Sequence, residues 1–184
     1  MRITEGKLKG KKFKAPSFIR PTQDKVRKAI FDVLKNFISL EKKLVLDLYA
    51  GSGGLGFEAL SRGAKKCDFV EKRKSCCKIL KENIKALNIE GSARIFPIEV
   101  KKFISTTLKK YDLILADPPY EELDLDLLKK IASLLKRDGI FVLEYSKRKN
   151  LKELNTLKIL ESKKYGDTMV AFLTPKDGKY FKNN

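Results

Sequence analysis

The 184-residue chain is long enough to bury one substantial core and too short for two full catalytic domains. Its formal net charge of +18 points to a polyanionic partner, RNA, DNA or an anionic membrane, with a lysine-rich surface of a heat-adapted or lysine-biased protein as the alternative. No apolar run reaches the roughly 18 residues that span a bilayer. The start MRITEGKLKGKK lacks the apolar core of a signal peptide, so a cytoplasmic protein without membrane attachment is expected. The three cysteines (Cys67, Cys76, Cys77) and the absence of histidine argue against structural disulfides and a Cys/His metal site.

Charge is unevenly distributed. Residues 1–28 hold ten Lys and Arg against Glu5 and Asp24, which is +8 of the +18. A uniform compositional bias accounts poorly for that, whereas a phosphate-contacting element accounts for it well. Residues 2–14 place Gly6 and Gly10 between short stretches carrying Ile3, Leu8 and Phe13, which predicts a small hairpin with basic edges. From Thr22, a candidate N-cap, apolar residues at helical spacing (Val26, Ala29, Ile30, Val33, Leu34, Phe37) predict a helix with one core-facing side.

From residue 43 short apolar strands alternate with amphipathic helices. Strands are expected at 43–50, 66–71, 93–98, 111–117 and 139–145, and helices at 54–62, 75–87, 100–108 and 123–135. Such alternation implies right-handed crossovers and a doubly wound, mostly parallel sheet of the α/β class. Residues 157–175 read instead as two strands joined at Gly166-Asp167, an antiparallel ending. The last residues, 176–184, read as a loose tail. The expected organisation is a basic extension over 1–20, one α/β domain over 21–175 and the tail.

The first core strand runs into Asp47-Leu48-Tyr49-Ala50-Gly51-Ser52-Gly53-Gly54-Leu55-Gly56. Gly51, Gly53 and Gly56 have the G-x-G-x-x-G spacing in a strand-loop-helix setting, a pattern shared by NAD, FAD and S-adenosylmethionine sites. Ser52 lies inside that loop. Glu71, twenty positions after Gly51 and at the end of the next strand, suits accepting hydrogen bonds from ribose hydroxyls. Asp47 either lies near the charged amino-acid part of the cofactor or caps the loop by accepting backbone N–H groups.

Asp117-Pro118-Pro119-Tyr120 follows the apolar strand at 111–116. Two consecutive prolines exclude helix or strand interior and give a rigid loop at a strand's carboxyl end, where open α/β sheets place ligands. An exocyclic amine of a base is a poor nucleophile because its lone pair is delocalised into the ring. Acceptance of its two N–H bonds by an Asp117 oxygen and the Pro118 carbonyl shifts electron density onto nitrogen and aims the lone pair at an electrophilic methyl group. Tyr120 offers a flat face for stacking the base, a contact worth about 1–3 kcal/mol. No strong resting base is needed, so the lack of histidine is no obstacle.

At these residues the chain resembles class I S-adenosylmethionine-dependent methyltransferases with an (Asp/Asn)-Pro-Pro-(Tyr/Phe) motif. More narrowly, it resembles the RsmD type, bacterial enzymes that methylate guanine N2 in 16S ribosomal RNA. The resemblance runs through Arg2 to Gly10, Arg20-Pro-Thr-Gln-Asp-Lys-Val-Arg27, Asp47 to Gly56 continuing to Gly63, Asp117 to Tyr120, and Tyr165-Gly-Asp-Thr168. It implies a seven-stranded Rossmann-like sheet with an antiparallel C-terminal strand, an N-terminal extension that helps hold RNA, S-adenosylmethionine as cofactor without a metal, and action on small-subunit rRNA or an assembling 30S particle; a monomer is expected. It also implies substrate-side roles for Arg20, Thr22 and Arg27, although Arg27 equally suits a local ion pair with Asp24. Where the family has Asp or Asn beside the cofactor's adenine this chain has Glu99, which fits a first-turn helix acid as well. Adenine-N6 methylation of DNA or RNA, glutamine methylation, a nicotinamide-dependent oxidoreductase and a noncatalytic RNA-binding protein are the competing readings.

Overall fold

The computed structural model describes residues 1–16, 24–119, 124–147, 155–178 and 180. After the N-terminal segment come α1 (Asp24–Leu34), β1 (Leu44–Leu48), α2 (Gly54–Ser61), β2 (Lys66–Val70), α3 (Lys74–Leu87), β3 (Ala93–Phe96) and α4 (Val100–Thr106). They are followed by β4 (Tyr111–Ala116), α5 (Leu125–Ala132), β5 (Leu135–Ser146), β6 (Leu157–Tyr165) and β7 (Thr168–Pro175). The seven strands form one sheet in the order β3-β2-β1-β4-β5-β7-β6. Neighbours from β3 to β5 are parallel, while β7 pairs antiparallel with both β5 and β6. This is the expected doubly wound sheet with its antiparallel ending.

Alternation along the central strands builds two cores, because successive side chains point to opposite faces. Val45 of β1, with Leu113 and Leu115 of β4, packs against Ile30, Phe31 and Leu34 of α1, Phe57 and Leu60 of α2, and Leu80 and Ile84 of α3. Leu46 and Leu48, with Ile114, face Val100 and Phe103 of α4 and Leu127, Leu128 and Ile131 of α5. Central strands buried on both faces read as near-continuous apolar runs, which is why LVLDL and YDLILA were legible as strands.

Several boundaries move for local reasons. The helix expected over 123–135 is α5, eight residues long, because the Asp124 side chain accepts the Leu127 N–H at 2.6 Å as its N-cap and β5 already begins at Leu135. The helix expected to reach residue 108 stops at Thr106: Thr107 turns extended and Leu108 is left almost fully exposed. In α1 the helix ends before Phe37, and the expected Thr22 cap lies outside the described residues.

The N-terminal segment is a hairpin. Arg2 and Lys12 form an antiparallel bridge, and Ile3 and Phe13 are buried against the α1–α3 face. Of the tail, residues 176–178 and 180 are described: Lys176 and Asp177 are exposed, Gly178 is buried and Tyr180 half-buried. Arg137 Nε donates to the Asp177 carbonyl at 2.7 Å, and Tyr180 donates to the Phe37 carbonyl and stacks edge-on against the Phe37 ring. An aromatic residue near the C-terminus found an apolar seat, which a composition of Lys, Gly and Asn conceals.

Candidate active site

β1 lies between β2 and β4, so the chain leaves it toward one side and returns on the other; a crevice opens at the carboxyl ends of these strands, where such sheets bind ligands. A cavity of about 430 Å³ occupies that crevice. It is lined by Tyr49 and Gly51 after β1, Val70, Glu71, Lys72 and Arg73 at the end of β2, Glu99, Val100 and Lys101 at the start of α4, and Asp117, Pro118 and Pro119 after β4.

Glu71 holds the loop in shape. Its Oε2 accepts the Gly51 N–H at 2.9 Å and its Oε1 accepts the Arg73 N–H at 2.8 Å. Each carboxylate oxygen has two lone pairs, so capacity remains for further donors from the cavity. Cys77, to which the sequence reading assigned no role, donates its thiol proton to the Glu71 carbonyl at 3.2 Å from α3; burial pushes that thiol's pKa up, keeping it protonated.

Asp47 caps the loop from within. It is buried, its Oδ2 accepts the Gly56 N–H at 2.9 Å, and it does not line the cavity. Burial pushes its carboxyl well above the usual range, opposed by the Gly56 hydrogen bond, and the negative charges of Asp117 and Glu71 push the same way as burial.

Of the loop residues expected at the cofactor, only Gly51 reaches the cavity. Ser52 turns away: its hydroxyl donates to Met1 Sδ at 3.6 Å and its carbonyl accepts from Asn83 Nδ2 at 3.4 Å. Gly53, in the left-handed region, is the N-cap of α2. Gly56 lets the helix approach the sheet, since a Cβ there would stand 2.2 Å from the Phe69 ring. These three shape the loop from behind.

Asp117 continues β4 and is reached by solvent through the cavity, yet enough protein surrounds its carboxyl that desolvation raises its pKa to about 6. Glu99 is the N-cap of α4 rather than a first-turn acid; its side chain makes no capping bond, is largely exposed, and stands 3.9 Å from Lys72 across the cavity mouth. Lys72, Arg73 and Tyr49 were missed by sequence reasoning. Lys72 and Arg73 follow Glu71 directly, and that adjacency to a strand end was the available signal.

Arg20, Thr22 and Tyr120 lie outside the described residues. Arg27, expected either on the substrate side or in a local ion pair with Asp24, is placed inside the protein. Its side chain is wholly enclosed, donating from Nη2 to Asp24 at 3.0 Å and to the Arg2 carbonyl, and from Nε to Glu58 at 3.4 Å. The local ion pair with Asp24 is present. Among the described residues no cluster of His, Cys, Asp or Glu is arranged to hold a metal ion, and no helix is long and apolar enough to cross a membrane.

Comparison with known proteins gives a consistent picture. The family model described as "Conserved hypothetical protein 95" matches residues 1–174. A Bacillus subtilis protein provisionally named rRNA methyltransferase YlbH is 34% identical over 180 residues, covering 93% of this chain and 97% of its own. The ribosomal RNA small subunit methyltransferase D of Buchnera aphidicola is 36% identical over 157 residues, 81% of this chain and 80% of its own. Among solved structures, a hypothetical protein of Thermus thermophilus superposes with a TM-score of 0.81 at 30% identity, over 95% of this chain and 99% of that one.

Proposed function

Since the chain belongs to the conserved hypothetical protein 95 family, the RsmD type, we propose that it methylates the exocyclic N2 amine of a guanine in small-subunit ribosomal RNA, using S-adenosylmethionine. One observation carries the reading: Asp117, Pro118 and Pro119 stand on the wall of the same cavity as Gly51 and Glu71. Amine acceptors and nucleoside-binding groups thereby share one space.

The cavity's residues fit that cofactor. Its volume is within the range of small-molecule sites, and Glu71 keeps lone pairs for ribose hydroxyls while Gly51 brings backbone to its wall. Glu99, at the α4 end of the cavity, is the candidate for the adenine amino group. S-adenosylmethionine supplies, when bound, an electrophilic methyl group on a positively charged sulfur. The carboxylate of Asp117 and the Pro118 carbonyl accept the two N–H bonds of the target amine, raise electron density on its nitrogen and fix its direction. Proline at 118 and 119 locks the carbonyl's orientation and brings no competing N–H. Tyr120 is the candidate stacking face for the base.

The RNA side is the hairpin. Arg2, Lys7, Lys9, Lys11, Lys12 and Lys14 are exposed on it, and it adjoins the cofactor loop through Met1 and Ser52. Residues 1–20 thus serve as the RNA grip and 21–175 as the transfer domain, acting on small-subunit rRNA free or within an assembling 30S particle. The test is to incubate the protein with labelled S-adenosylmethionine and unmodified small-subunit particles, then digest to nucleosides. Label in N2-methylguanosine is expected; label only in N6-methyladenosine would move the enzyme to the adenine class, and no label would reject both.

A further inference from the structure

The most heavily hydrogen-bonded buried charge among the described residues is not in the cavity. Glu58, in the middle of α2, has a fully enclosed side chain. Its Oε1 accepts from Thr4 Oγ1 at 2.6 Å, the Glu5 N–H at 3.1 Å and Arg62 Nε at 3.1 Å. Its Oε2 accepts from the Thr4 N–H at 3.0 Å and Arg27 Nε at 3.4 Å. A carboxylate offers about four lone-pair sites, so these donors saturate it.

These donors come from three elements. Thr4 and Glu5 belong to the hairpin, Arg27 to α1, and Arg62 follows α2. The two arginines extend the connection, with Arg27 donating to the Arg2 carbonyl and Arg62 Nη1 to Glu5 at 2.6 Å. Burying a carboxylate is costly unless it is paired and hydrogen-bonded, and two guanidiniums with three hairpin donors meet that condition. The hairpin buries Ile3 and Phe13 and packs Met1 and Leu8 partly against the same core, while the polar contacts to Glu58 fix where it sits on α2.

A second set of contacts shows how closely the seat is fitted. The Lys7 N–H donates to the Ser61 carbonyl at 2.7 Å and the Leu8 N–H to Ser61 Oγ at 2.9 Å. Gly6, with φ of +84°, faces the end of α2 so tightly that a Cβ would stand 1.9 Å from the Ser61 carbonyl oxygen. Gly10, at the other side of the same turn, has nearly the same φ of +81° and meets nothing.

We propose that Glu58 is a positioning residue for RNA: its buried carboxylate seats the cationic hairpin on α2 and, through Arg27, on α1, so that the hairpin's lysines form one rigid surface beside the cofactor loop. The inference rests on the reading that RNA is the substrate. A pre-ordered surface lets several lysines engage phosphates together, and the number engaged sets how steeply affinity falls with salt. Loss of the seat leaves the same charges on a loosened hairpin.

The experiment measures KM and kcat for methylation of small-subunit particles, the slope of log affinity against log salt for their rRNA, and S-adenosylmethionine affinity. Variants are Glu58→Gln, Gly6→Ala and Gly10→Ala in the full chain. Glu58→Gln is expected to raise the RNA KM about tenfold and flatten the salt slope, with kcat and cofactor affinity within about twofold of the parent. If Glu58→Gln fails to fold, the glycine pair decides. Both alanines carry similar backbone strain, but only Gly6→Ala collides with α2, so it should raise KM several-fold more than Gly10→Ala. Equal effects of the two, or a folded Glu58→Gln with unchanged KM and slope, would overturn the proposal. A parent protein that shows neither rRNA methylation nor salt-dependent rRNA binding would instead refute the functional reading beneath it.

Discussion

Asp117 offers the sharpest test of the chemistry, because the acceptor role proposed for it requires the ionised form and its surroundings oppose that form. Desolvation raises its pKa to about 6. With that value, lowering the pH from 7 to 5 takes the ionised fraction from about nine-tenths to about one-tenth, so kcat/KM should fall roughly tenfold across the window. The same shift has the opposite sign for stability. Between about pH 4 and pH 6 the folded protein binds more protons at this site than the unfolded chain, so the contribution of Asp117 to stability rises as the pH falls while activity declines. Lost activity in this window is therefore not accounted for by Asp117-linked unfolding. Asp117→Asn keeps one acceptor oxygen, adds an N–H₂ donor toward the amine and removes the titration. Its kcat/KM should be lower by about 10²–10³, comparable to losing one transition-state hydrogen bond in other enzymes, and should lack the acid limb. The assay is methyl transfer at subsaturating substrate from pH 5 to 8, with near-ultraviolet circular dichroism confirming the fold at each pH. A flat parental profile would refute the reasoning. An acid limb that persists in Asp117→Asn would assign it to another group, with Asp47, whose carboxyl is also raised by burial, the first candidate.

Three further outcomes follow from the loop. Glu71→Ala removes the acceptor for the Gly51 and Arg73 N–H groups as well as the candidate ribose contact, so S-adenosylmethionine should bind at least tenfold more weakly by calorimetry; an unchanged dissociation constant would show that Glu71 only shapes the loop. Gly56→Ala places a methyl group against the buried Phe69 ring and should lower stability by about 1–3 kcal/mol in denaturant unfolding, while Asp47→Asn, which retains an acceptor for the Gly56 N–H, should cost less.

Much of the fold was legible from residue order because its determinants are local. LVLDL and YDLILA are apolar runs that only a sheet covered on both faces buries, and the helices between them repeat their apolar residues at helical spacing. Gly51, Glu71 and Asp117 could be placed at strand carboxyl ends for the same reason: each directly follows such a run, and in a parallel sheet those ends share one edge. The sequence alone thus determined the sheet class, the side on which the cavity opens, and its principal carboxylates. What it left open depends on contacts between residues distant along the chain. Asp47 and Ser52 sit within the same ten residues as Gly51, yet only the fold pairs Asp47 with the Gly56 N–H and Ser52 with Met1 and Asn83. Arg27 carries a charge that suggests phosphate, and its enclosure became visible only when Glu58, 31 residues away, met it in space. Charge and spacing report what a side chain can do, while the tertiary structure decides which partner reaches it first.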